Sequence, residues 1–212
     1  MKKKIMSLFL VMVLFASMMT GCIKVVKTGE EGKLTGETKF NPGDDVSKFW
    51  ESEAIPELEK KAIDINTFIK ESNGDFKSLA KKYGKYSMGT SGELNYVVKG
   101  TGTVTEVNTS SMAGFMTVKL NDYTGNVKIM LQIGSVITGS SVRDSLSFIK
   151  YGDYTNQQEF AAISQSINSL IQKKVVSPKT AADYKGKEIS FVGCFTASDN
   201  SQMLITPVMI KE

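Results

Sequence analysis

The chain has 212 residues, with two cysteines, one arginine, no histidine, and 26 basic against 22 acidic residues. Without histidine, no Ser-His-Asp or Cys-His machinery can be assembled, nor a metal or haem site that needs imidazole. Two cysteines make neither a four-cysteine zinc site nor a disulfide-rich scaffold, and the length suits one domain, or one and a half, with a sizeable core.

Lys2, Lys3 and Lys4 precede an uncharged apolar run, Ile5 to Met19. That run is short for a membrane span, which needs about 20 apolar residues, and matches the apolar region of a secretory signal. It ends in Met19-Thr20-Gly21-Cys22, an apolar residue and two small ones before a cysteine. This resembles the bacterial lipobox, which implies lipid on the Cys22 thiol and cleavage just before it. Residues 1–21 are then a lipoprotein signal peptide, and the membrane partner is lipid carried by Cys22. Three lysines leave with the signal, so 23 basic residues face the 22 acidic ones and the basicity is mostly targeting. The expected location is extracytoplasmic, tied to the cell membrane.

Residues 22–43 are rich in Lys, Gly, Thr and Glu and are expected to form the anchor and tether, with a short strand at Ile23 to Lys27. Residues 44–84 are expected to be helical. Asp44 or Asp45 can cap a helix with Val46, Phe49 and Trp50 on one face, and Pro56 suits the first turn of a second. Leu58, Ala62, Ile65 and Ile69 fall at helical spacing, so that second helix is expected to run through them to Asn73-Gly74. Phe76, Leu79, Ala80 and Tyr83 mark a third, with Gly84 as terminator. The aromatic residues Phe49, Trp50, Phe68 and Phe76 are expected to pack in a core.

From residue 93 the hydrophobic period changes to two. Strands are expected over Leu94 to Val107, Phe115 to Leu120 and Asn126 to Ile133. A Gly/Ser-rich loop, Gly134 to Ser141, and an apolar stretch around Leu146, Phe148 and Ile149 follow. A helix is expected over about 156–174, striped by Phe160, Ile163, Ile167, Leu170 and Ile171, with Asn156 and Glu159 at capping-box spacing. Two strands close the chain, Lys187 to Thr196 and Met203 to Lys211. Three strands, a helix and two strands is the order of the OB-fold, a small Greek-key barrel. The expected class is α+β: a short helical region, then an OB-like barrel over 85–212. Another small barrel or an open α+β sheet is the alternative.

Arg143 is the only arginine among 26 basic residues. Its planar donor fork is something lysine cannot supply. Either it braces its loop by pairing with Asp144 or Asp153, or it anchors a carboxylate, phosphate or sugar hydroxyl. Asp153-Tyr154-Thr155-Asn156-Gln157 is either a helix cap and turn or a sugar-recognition cluster, with Gln132 facing the same region. The ligand or partner set expected from the residues is therefore Gln132, Arg143, Asp144, Asp153 and Asn156. No phosphate loop, calcium loop or other cofactor motif occurs. The near-neutral mature charge argues against a nucleic-acid partner. Cys194, in the apolar run ISFVGCF, is expected to be a buried small hydrophobe.

Several pieces together resemble a family of predicted bacterial periplasmic lipoproteins of unknown function, often encoded beside ribose-type sugar ABC transporters. They are Gly21-Cys22, Phe49-Trp50 with Ile55-Pro56, Tyr96 to Gly100, GKEISFVGCF with ITPVMI and, most specifically, Leu131 to Ala161. The chain departs at Ser135, where proline is expected, and at Ser140-Ser141. The resemblance implies no catalytic residue. It implies an accessory or binding role near sugar uptake, with transporter components or a small sugar as partners. A structural envelope protein without a small ligand is the rival. A carbohydrate-active enzyme using Asp144 and Asp153 as paired carboxylates is a third reading.

Overall fold

The computed structural model describes residues 40–177 and 181–212. The expected leader, the lipidated Cys22 and the short strand at Ile23 to Lys27 lie outside them. Asn41–Glu212 forms one compact unit, so the helical region and the barrel are not separate bodies.

Helix α1 (Pro42–Phe49) begins two residues before the expected boundary, because Asn41 rather than Asp44 is the cap: its side chain accepts the Asp44 N–H. The helix continues through a π turn (Trp50–Ala54) into α2 (Ile55–Lys61). The expected run from Leu58 to Ile69 is not one helix. Ala62 turns extended, Ile63–Asp64 forms a short strand β1, and Asp64 starts α3 (Ile65–Ser72) by accepting bonds from the Thr67 N–H (2.9 Å) and hydroxyl (3.0 Å). Helical spacing is satisfied across the break because an N-cap aspartate restarts the helix in nearly the same phase. The new phase buries Phe68 in place of Ile69. Asn73, left-handed at φ 47°, ends α3. A 3-10 turn (Phe76–Leu79) and α4 (Ala80–Tyr83) complete the layer.

The barrel strands are β3 (Leu94–Asn108), β4 (Phe115–Leu120), β5 (Lys128–Gln132), β6 (Glu188–Thr196) and β7 (Gln202–Lys211), with a two-residue β2 (Lys85–Tyr86) beside β3. β3–β4, β4–β5, β6–β7 and β3–β6 pair antiparallel, and β5–β7 pair parallel. This circuit is the OB topology. It returns on itself because β3 serves two partners: residues 95–103 lie against β6, and 102–108 lie against β4. Gly102 sits where the partners change. A side chain there would overlap the Lys119 carbonyl of β4, so only glycine permits that approach.

Between β5 and β6 come α5 (Ser141–Ser145), which has no periodic signal, and α6 (Gln157–Ile171), which continues as a π turn (Gln172–Val176). The expected capping box is present: the Asn156 side chain accepts the Glu159 N–H (2.9 Å). The Glu159 carboxylate reaches back to the Thr155 N–H (3.0 Å). Where the helical layer meets the barrel, Phe68, Phe76, Tyr96 and Phe195 pack ring against ring, with centroids 4.8–5.9 Å apart. Tyr96 is wholly buried and donates its hydroxyl to the Phe76 carbonyl (2.5 Å); burial pushes its pKa up to about 12. Cys194 is likewise wholly buried, and burial pushes its thiol up to about 12, as expected of a small hydrophobe.

Candidate functional site

The block after β5 folds into a buried clasp with a polar surface beside it. Gln132, the last residue of β5, is 5% exposed. Its carbonyl accepts from the Thr138 N–H (2.9 Å) and hydroxyl (3.0 Å), while its amide donates to the Thr138 carbonyl (3.1 Å) and to Thr206 Oγ1 (2.7 Å). One side chain thereby bolts the Gly/Ser loop to β7.

Arg143 and Asp144 are brought in by α5 and are 8% and 2% exposed. Arg143 Nε and Nη2 both reach Asp144 Oδ1 (2.8 and 2.7 Å), and Nη1 donates to the Phe160 carbonyl (3.1 Å). The guanidinium lies 3.7 Å from the centroid of the Phe160 ring. Asp144 Oδ2 accepts from the Ser140 hydroxyl (2.7 Å). Three nitrogens of one planar group serve the Asp144 carboxylate and the Phe160 carbonyl while its central carbon lies over the Phe160 ring, a combination that lysine cannot make. Of the two roles available to Arg143, the structure realises the brace, with Asp144 rather than Asp153 as its partner.

Two lysines finish the clasp from outside. Lys85 Nζ donates to the carbonyls of Asp144 (2.6 Å) and Leu146 (2.8 Å), and Lys61 Nζ donates to that of Ser145 (2.9 Å). Together they satisfy the end of α5. Burial, with the Lys61 charge beside it, holds the Lys85 pKa below its usual value. Glu57 bonds Lys61 (2.5 Å) and the Ser147 N–H (2.7 Å). Burial pushes the Glu57 carboxyl up, but the Lys61 and Ser147 hydrogen bonds outweigh it and leave the pKa below the ordinary 4.5. Sequence reasoning missed Glu57 and Lys61 on α2 and Lys85 on β2, since an ordinary surface charge carries no mark of a long-range partner.

Asp153 and Asn156 are exposed, apart from the clasp. Asp153 lies in a 3-10 turn (Tyr151–Asp153), and Asn156 caps α6. The five expected residues therefore divide. Gln132, Arg143 and Asp144 hold the fold with polar atoms engaged inside the chain, while Asp153 and Asn156 face solvent. Beside the latter is a shallow depression of about 510 Å³ lined by Asn156, Gln157, Gln158 and Ala161. Tyr151, 51% exposed, and Tyr154 both pack on Phe160, with centroids 5.3 and 5.4 Å away. Arg143 thus bears on this surface indirectly, as the support under Phe160. Among the described residues no cluster of acidic, Cys or His side chains could hold a metal ion, and no helix is long and apolar enough to cross a membrane.

The model of a family described as predicted periplasmic lipoprotein (DUF2291) matches residues 11–211. The chain belongs to this lipoprotein family. Its place is therefore extracytoplasmic, held by lipid, as the leader implies. The lipoprotein is also similar to an OB-fold protein from Thermotoga maritima, known from a crystal structure. The TM-score is 0.64 at 16% identity, over 82% of this chain and 99% of that one. At that identity the likeness concerns the fold, and it agrees with the pairing circuit. No curated protein matches the lipoprotein.

Proposed function

We propose that this lipoprotein is a non-enzymatic accessory protein of sugar uptake, anchored through lipid on Cys22. The start of α6 receives a small sugar or a component of a ribose-type ABC transporter. What supports this reading most is the exposed Tyr151 ring packed on Phe160, a residue that follows Gln158 and precedes Ala161, both of which line the depression at the start of α6. An aromatic face offers a sugar ring a stacking surface, and the exposed Gln157 and Gln158 supply amide donors and acceptors for hydroxyls. Asp153, exposed in the turn that carries Tyr151, offers a further acceptor. Arg143 and Asp144 are positioning residues here: they hold Phe160, which holds Tyr151.

Thermal-shift measurements with a panel of monosaccharides, and pull-down with the purified substrate-binding protein of the transporter, test this. A shift or a capture that disappears in Tyr151→Ala supports it. Neither a shift nor a capture sinks it and favours the envelope protein without small ligand, to which the internal engagement of Gln132, Arg143 and Asp144 also lends weight. The carbohydrate-enzyme reading is weaker, because both Asp144 oxygens already have partners within the chain. Palmitate labelling that persists in Cys22→Ala would remove the anchor from the proposal.

A further inference from the structure

Helix α6 has two polar sides that are used differently. Toward the Gly/Ser loop its polar side chains are engaged. Ser164 donates to the Gly139 carbonyl (3.3 Å), and Asn168 donates to the same carbonyl (2.8 Å) and to that of Ile137 (3.3 Å). On the outward side Gln158, Ala162, Gln165 and Ser169 follow at spacings of four, three and four. They share a face, opposite the buried Phe160, Ile163, Ile167 and Ile171. Gln158, Gln165 and Ser169 are exposed, and among the described residues their side chains have no partner within the chain. No ionisable side chain occurs between Glu159 and Lys173, in a chain that is 23% charged. A surface helix usually turns charged groups to water, whereas this one turns amides, hydroxyls and alanines.

The same helix lines two depressions. The first, at its start, is the one of about 510 Å³ that includes Gln157, Gln158 and Ala161. The second, of about 350 Å³, lies between its later turns and α1, with Gln165, Ser169 and Lys173 on one wall and Gly43, Val46 and Ser47 on the other. Both volumes fall within the range of small-ligand sites, about 300–1,000 Å³. Along the helix between them come Ala161 and Ala162, whose methyl groups are too short to divide the two. At a rise of about 1.5 Å per residue, Gln157 and Lys173 stand about 24 Å apart along the axis, several times the length of one sugar ring. Val46, 1% exposed, and Leu170 give the second depression an apolar lining.

We propose that this face of α6 is a track for an oligosaccharide of uncharged sugars. Resting on the sugar reading of the start of α6, it places one ring there and the following ones along Gln165 and Ser169 toward Lys173. A side-chain amide offers donors and an acceptor, and a serine hydroxyl does both, which matches the hydroxyls of a sugar chain. Val46 and Leu170 give the apolar side of a ring a surface to rest on. Other occupants fit this composition poorly. A protein interface carries aromatic, methionine and arginine anchors at its centre. A nucleic acid or a phosphorylated sugar calls for concentrated positive charge. Of the described side chains lining the two depressions, Lys173 alone is charged, and it stands at the far end.

The test titrates the full-length lipoprotein, in detergent, with glucose, xylose and mannose and with their linear oligomers up to the pentasaccharide, read by calorimetry. In the series that binds, affinity is expected to rise several-fold from the single sugar to the longer oligomers. Ser169→Arg, which fills the second depression, should remove that gain and leave the single sugar bound as before. Gln165→Ala should remove part of it, and Tyr151→Ala should weaken single sugar and oligomer alike. Ser169 and Gln165 are exposed, and circular dichroism melts check that their variants fold. A single sugar that binds with no gain on lengthening overturns the track and leaves the sugar reading standing. So does a gain that survives Ser169→Arg. Binding of no member of any series overturns both.

Discussion

At the junction of helices and barrel, Phe68, Phe76, Tyr96 and Phe195 are held by contact alone, apart from one hydroxyl bond. In the Gln132–Phe160 block the buried groups are an arginine, an aspartate and an amide, each with named partners at 2.7–3.1 Å. The two centres fail differently. Each ring of the first is one of four with several neighbours, so a change in volume is felt in proportion to the cavity it leaves. The second has one arrangement that satisfies every polar atom, and removing a member strands its partner away from water.

The largest effect is expected from Phe195→Ala, which empties the middle of the aromatic cluster. Guanidinium unfolding should show a loss of about 3–5 kcal/mol. Arg143→Ala should cost about 3–5 kcal/mol by leaving Asp144 buried without its cation, with Arg143→Lys recovering only part, as the same titration reads. The double change Arg143→Met with Asp144→Leu should be far milder than either single one. If it is not, the clasp contributes more than the neutralisation of its own charges.

Asn156→Ala removes the side-chain acceptor for the Glu159 N–H and should cost about 1 kcal/mol, which is measurable as a lower melting temperature. The smallest effect concerns pH. The folded Glu57 carboxyl lies below its unfolded value, so its contribution is present above the ordinary 4.5 and is lost as pH falls through the folded value. Glu57→Gln should therefore lower stability slightly at neutral pH and converge with the unchanged chain as pH falls through the folded value, which leaves the variant with a flatter acid limb. A variant with an unaltered acid limb would show that the Lys61–Glu57–Ser147 contact does not bear on the clasp.

Much of the fold is legible locally. The period-two pattern over Phe115–Leu120 coincides with its strand, the long β3 and the two closing strands agree within a residue or two, and Asn156 is the cap that its spacing from Glu159 implies. Helix α5 is not legible: its five residues Ser141–Ser145 are too short to show a period, and all five are buried. The break at Asp64 is hidden because apolar spacing continues across it. Arg143 stands out by composition. Whether it faces a ligand or an aspartate depends on Phe160, 17 residues away, and no spacing rule connects the two.

The lipobox pattern and the order of strands and helices are read from the chain in one dimension, because charge, hydrophobic period and turn residues are local properties; that the strands close into an OB barrel rather than an open sheet is decided by β3 pairing with both β4 and β6. Which polar side chains are bolts and which face solvent is fixed only once the chain has folded. A buried polar group takes its meaning from partners that satisfy it, and Gln132, Arg143, Lys61 and Lys85 find theirs across loops and strands.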